Sequence, residues 1–273
     1  MFACAKCMRL GVAGLAILFA TIAVHAHDTW VQTNTNLVRV NDVVHVDLML
    51  GNHGNDHRDY KLASKISLDS VASFEVIDPD GQRHDLKKTA ADLGLDPKEG
   101  FWSSRFTASK PGTYVAVQTA DKTMAKKGKG VRVVRSAKAY FVASPSLDKV
   151  AKVSAGFDKS LGHRFELVAD SNPVVGMQAG SPMKVRLLYN GKPMPDSRVS
   201  FIPRGVSLDE GFDKNYERTT DRDGRAEFTP KQGNYYLVVA HQTTDEKGEG
   251  FESTHYSATL TVFVPQVCPC CDE

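Results

Sequence analysis

The chain has 273 residues, 41% of them hydrophobic and 24% charged, and a formal net charge of +2 at neutral pH. That length allows one or two domains with a sizeable core, and the composition is that of a soluble globular protein rather than a fibrous or disordered one. The near-neutral balance leaves no basic footprint for nucleic acid or an anionic membrane surface.

Lys6 and Arg9 precede an uncharged apolar run over residues 10–24, and Val24 and Ala26 are the small residues of a cleavage site. The run is too short for a comfortable membrane span, so residues 1–26 read as a secretory signal peptide and the expected location is periplasmic or secreted. Cleavage after Ala26 leaves His27 as the first mature residue. Loss of Lys6 and Arg9 takes the formal charge from +2 to about zero.

From residue 37 onward the pattern is that of strands. Val44, Val46, Leu48 and Leu50 alternate with His45, Asp47 and Met49, a half-buried strand with His45 on the outer side. The stretch 51–59 is too rich in Gly, Asn and Asp for a regular element. Phe74 and Val76 run into the turn Asp78-Pro79-Asp80-Gly81, residues 86–99 hold one short helical turn, and strands are expected over 101–106, 113–117 and 131–143. The basic run 122–135 reads as a solvated loop and strand edge. Residues 144–170 are less regular. Alternation resumes at Met183, Val185, Leu187 and Tyr189, turns at Asn190-Gly191-Lys192-Pro193, and passes through Val199 and Phe201. Residues 205–218 read as a long loop. The stretch 235–241 is almost continuously apolar, as a central strand would be, and Ala258, Leu260, Val262 and Val264 close the pattern.

Many short strands with turns between them predict an all-β protein of two β-sandwich domains. The first, over 27–145, is expected to be immunoglobulin-like. A bridging segment over 146–170 leads to a second sandwich over 171–265, and a cysteine-rich tail occupies 266–273.

The terminal His27 is the leading functional candidate. Its α-amine, with an ordinary pKa of about 7.7–8.0, and its ring Nδ1 can close a six-membered chelate on one ion. Nitrogen donors of this kind suit nickel, cobalt, copper or zinc, and Asp28 offers an oxygen. The alternative is a frayed terminus without a ligand. His53 and His57 share a loop with Asp56 and Asp59, a common ligand mix that also fits a polar surface turn. His241 and His255 flank an acidic loop with Asp245, Glu246, Glu249 and Glu252, a second metal candidate. His45 reads as a surface residue, and His163 with Glu166 as a structural hydrogen-bonding pair. Asp221, Asp223 and Gly224 resemble part of a calcium loop but fit a hairpin turn better, because the rest of an EF-hand is missing. Cys268 and Cys271 have the C-x-x-C spacing of a small disulfide loop or soft-metal site, with Cys270 left over, or they form an oxidised frayed end. No G-x-S-x-G, H-E-x-x-H or P-loop pattern is present, and no enzymatic activity is expected.

The segments His27-Asp28-Thr29-Trp30, Gly162-His163-Arg164-Phe165-Glu166-Leu167-Val168 and Leu187-Leu188-Tyr189-Asn190-Gly191-Lys192-Pro193 resemble a family of exported bacterial proteins of unknown function. Its members are often labelled nickel-uptake transporter family proteins. The Gly191-Lys192-Pro193 turn and the Thr220-Asp221-Arg222-Asp223-Gly224 hairpin also resemble the transthyretin-like, carboxypeptidase-regulatory type of sandwich. The resemblance implies that the second half is transthyretin-like. It also implies a metal-handling role, centred on nickel or cobalt, with a membrane metal transporter or another envelope protein as partner. The other reading is a non-catalytic module that binds an envelope protein or carbohydrate.

Overall fold

The computed structural model describes residues 27–51, 53, 67–94, 100–126, 129–148, 150 and 155–267. Residues 1–26, Asp56, His57 and the cysteines of the tail lie outside the described residues. Among the described residues, seventeen strands follow in chain order. The first half contains β1 (Asp28–Thr33), β2 (Leu37–Arg39), β3 (Val43–Gly51), β4 (Ser73–Ile77), β5 (Arg83–Asp85), β6 (Ala91–Asp92), β7 (Trp102–Thr107), β8 (Gly112–Lys126) and β9 (Lys129–Ser144). The second contains β10 (Phe165–Ala169), β11 (Met183–Tyr189), β12 (Lys192–Pro193), β13 (Arg198–Pro203), β14 (Glu217–Thr219), β15 (Arg225–Phe228), β16 (Asn234–Thr244) and β17 (Ser253–Val264). Among the described residues, helix is confined to short 3-10 turns such as Lys87–Thr89, inside the stretch where one was expected.

The strands form three layers. A nine-stranded sheet in the order β14-β13-β16-β17-β9-β8-β4-β5, with β2 added beside β9, lies between two smaller sheets. One small sheet is β1-β3-β7-β6, and the other is β10-β11-β12 with β15 also on β11. The reason is visible in the side chains. In β9, Ala137, Ala139, Phe141 and Ala143 enter one core while Val134, Tyr140 and Val142 enter the other. In β16, Leu237 and Val239 enter the first core, and Tyr236, Val238 and Ala240 the second. A strand buried on both faces reads as a continuous apolar run, which is the pattern of 235–241. Each fully buried Val, Leu or Phe side chain contributes about 1.5–3 kcal/mol.

The all-β class is as expected, and two cores form. The halves are nevertheless joined by one sheet, because β17 begins at Ser253 and runs parallel to β9, from Ser253 opposite Val131 to Thr261 opposite Ala139. The basic run 122–135, read as a solvated loop and strand edge, is paired strand in its described residues. β8 and β9 continue as a paired ladder out to Lys126 opposite Lys129, which carries Lys122 and Arg135 on sheet rather than on coil. The segment between the halves is not only a bridge, since it supplies β10 to the outer sheet.

The Asp221–Gly224 stretch is a hairpin turn. Asp221 Oδ1 accepts from the amides of Asp223 and Arg225, both at 2.9 Å, so the carboxylate is used locally, as in an Asx turn. Gly224 has φ +73°, and a Cβ there would lie 2.6 Å from the Leu187 carbonyl oxygen. Gly224→Ala is therefore expected to destabilise the protein by about 1–3 kcal/mol through both strain and displacement of β11. Urea unfolding checks this, and a loss below about 0.5 kcal/mol would contradict the described turn.

Candidate functional site

β1 starts at Asp28, whose register partner is Gly51 at the end of β3. The His27–Asp28 end lies against β9, β16 and β17 of the central sheet, where it is tied down by four side chains. Asp28 Oδ1 accepts from His241 Nε2 at 2.7 Å and from Ser257 Oγ at 3.1 Å. Thr259 Oγ1 donates to the Thr29 carbonyl at 2.9 Å. The Arg135 guanidinium donates to Thr29 Oγ1 and, at 3.4 Å, to the His27 carbonyl. His241 and Ser257 are directly opposite on β16 and β17, and Ser257 is directly opposite Arg135 on β9, so one row across the sheet holds the segment. The Asp28 carboxylate beside the half-exposed His241 raises that imidazole above its ordinary value.

His53, expected in a polar loop with ligands beside it, is instead buried, with 6% of its surface exposed. Its Nδ1–H donates to the Ile202 carbonyl at 2.9 Å, its own carbonyl accepts from Gly205 N at 3.1 Å, and its ring meets Trp30 edge-on at 5.6 Å. The residue thus fastens the end of β3 to the end of β13. Burial, and then the Arg204 charge, push its pKa down to about 3, so it stays neutral. Asp28 is near enough to act electrostatically on His53, but the two make no described bond. His57 and Asp56 fall outside the described residues. Among the described residues, no group of three or more His, Cys, Asp or Glu side chains is arranged to hold a metal ion.

His241 stood at sequence level only in a second cluster with His255; in the fold it reaches Asp28, 213 positions away. Arg135 and Ser257 were missed. Arg135 was hidden in a charge run, and only the pairing of β9 with β17 shows that it faces His27. His45 is exposed, as expected.

His163 and Glu166 form the expected structural network, in a buried setting. Glu166 has no exposed surface and Lys138 has 1%, and the two are ion-paired between the central sheet and β10. The Glu166 carboxylate also accepts from Ser160 Oγ at 2.7 Å, Leu161 N at 2.6 Å, and Gly162 N and His163 N at 3.2 Å each. Burial alone would raise its pKa, but Lys138 and these donors outweigh that and hold the carboxyl below its usual range. His163 Nδ1 lies 2.7 Å from Ser136 Oγ, and burial, then Lys138, lower its pKa to about 4.

His53 and His163 make the fold sensitive to acid. Both have folded pKa values, about 3 and about 4, below the ordinary 6.5 of an unfolded histidine. Their stabilising contribution is complete above pH 6.5. It is lost as pH falls, because the unfolded chain takes up protons that the folded chain refuses. His241 is shifted the other way, so its contribution is present in acid and offsets part of the loss. Moving from pH 7 to pH 4.5 is expected to cost about 2 kcal/mol for each of these two histidines. Urea unfolding at the two pH values checks this. The His53→Asn protein should show a shallower decline, and an unchanged decline would contradict the assignment.

The sequence matches, over residues 24–244, a family described as Domain of unknown function (DUF4198). No curated protein matches. Among solved structures, the D0-D1 domain of intimin is 15% identical, with 86% of this chain and 97% of that one covered, at a TM-score of 0.23. Salmonella alpha-2-macroglobulin reacted with methylamine is 14% identical, covering 89% of this chain but 15% of that one, at 0.26. A DUF4785 family protein from Legionella pneumophila is 11% identical, covering 77% and 51%, at 0.26. With TM-scores this low, none of the three bears on what the site does.

Proposed function

The chain belongs to the DUF4198 family of domains of unknown function, and from that premise we propose that it is an exported metal-handling protein, periplasmic or secreted. In this reading it binds nickel, cobalt or copper through His27 and passes the ion to a membrane transporter or another envelope protein. Residues 1–26 are its signal peptide, and its role is binding and delivery rather than catalysis. The second half, with its Gly191 and Gly224 turns, is its transthyretin-like part.

The observation that supports this reading most is the anchoring of the His27–Asp28 segment. A terminus that is to act as a ligand must be held, and the bonds from Arg135, Thr259, His241 and Ser257 hold it. The donor set rests on two residues. His27 supplies its amine and ring once the leader is removed, so one residue gives two donors. His241 supplies a third nitrogen. Its Nε2–H is taken by Asp28, which leaves Nδ1 with the lone pair. A carboxylate that fixes the tautomer of a ligating imidazole is a usual outer partner of a metal site. Asp28 then acts as a positioning residue rather than as an oxygen ligand. His53, buried and tied to Ile202, supports the strand end that carries the site.

Intact-mass measurement on the exported protein, with metal analysis of the same sample, tests this directly. The reading expects a chain that starts at His27 and carries a transition metal. A mature start at another residue removes the amine donor and with it the proposed chemistry.

A further inference from the structure

The face of the central sheet beside His27 carries an imbalance of charge that metal binding does not explain. The register places Ala120, Arg135, Ser257 and His241 in one row across β8, β9, β17 and β16, and Lys122, Val133, His255 and Thr243 in the next. Alternation puts all of these side chains on the same face. Lys122 and Arg135 are diagonal neighbours on it, a relation that separates such residues by about 7–8 Å.

The opposite face of the same strands shows how cations are handled elsewhere. There Arg132 forks onto Asp121 at 2.7 and 2.6 Å, and Arg164 donates twice to Glu246 at 3.0 and 3.2 Å. On the His27 face, Asp28 is the carboxylate that acts on Arg135, and it is already bonded to His241 and Ser257. Among the described residues no carboxylate pairs with Lys122. It is half-buried, and both burial and the Arg135 charge disfavour its ammonium form. Two cations held side by side, with one carboxylate that is already bonded elsewhere, leave an excess of positive charge that favours an anion.

We propose that this face binds a small polycarboxylate. One carboxylate group would lie against Lys122 and another against the Arg135 side of the row, with His255 on the same face between the strands. The diagonal spacing suits two anionic groups on one short ligand better than a single tetrahedral oxyanion. The inference does not depend on metal binding by His27. It adds, if both hold, that the ion can arrive as an anionic chelate.

The test is calorimetric titration of citrate, with inorganic phosphate and acetate as comparisons, into metal-free exported protein kept in a chelating resin-treated buffer. Citrate should bind more tightly than phosphate, and acetate should bind least. Lys122→Glu should weaken citrate binding by about tenfold or more, while Lys192→Glu, on the exposed β12 strand of the other outer sheet, should leave it unchanged. Circular dichroism of both variants confirms the fold. The proposal is overturned if citrate does not bind, if phosphate binds as tightly as citrate, or if both variants weaken binding equally, as a diffuse charge effect would. Because the titration is done without metal, its failure would leave the His27 reading standing, and loss of metal binding would leave this one standing.

Discussion

Glu166→Ala should destabilise the protein by about 3–5 kcal/mol, more than any other single substitution considered. It would leave the Lys138 ammonium, 1% exposed, with the Leu167 carbonyl at 3.0 Å as its remaining acceptor. It would also leave Ser160 and the amides of residues 161–163 without the oxygen they share. The reverse change is expected to be milder. After Lys138→Met the carboxylate still receives four hydrogen bonds from Ser160 and the loop, so a loss of about 2–3 kcal/mol is expected. The double variant Lys138→Met with Glu166→Gln should recover part of the loss seen in Glu166→Ala, because no buried charge remains. Urea unfolding of the three proteins checks the order. Equal losses, or a larger loss for Lys138→Met, would show that the loop amides do not carry the carboxylate.

This pair also shows what a single sequence can and cannot reveal. The strands themselves were legible, because alternation in β3 and the continuous apolar run in β16 are local patterns with local causes. So were the turns at Asn190-Gly191 and Asp221–Gly224, whose positive φ angles restrict the residues that fit. His163 with Glu166 was legible as a hydrogen-bonding pair. Its counter-ion was not, since Lys138 lies on a strand whose alternation looked like any other.

The same limit applies to the site. The His27–Asp28 segment stood out from the sequence pattern before it, but its neighbours follow from one long-range event, the parallel pairing of β17 with β9. No periodicity announces which strands pair across 120 residues of chain, so Arg135 was read as part of a solvated basic run. His241 was likewise read with the loop after it rather than with Asp28. His53 was assigned to a polar turn because Gly and Asn surround it. The packing of His53 against Ile202 and Trp30, which buries it, is a tertiary contact.

The central claim is that the amine and ring of His27 act together on one metal ion. It is tested by calorimetric titration of Ni(II) and Cu(II) into two proteins, one that starts at His27 and one with a single glycine before it. The added residue leaves the imidazole and the anchoring bonds of Asp28 and Thr29 in place but converts the amine to an amide, which is a poor donor at neutral pH. The account predicts binding to the first protein and affinity at least about 100-fold weaker for the second, the loss expected when a chelate ring is opened. Equal affinity of the two proteins for both metals would contradict it.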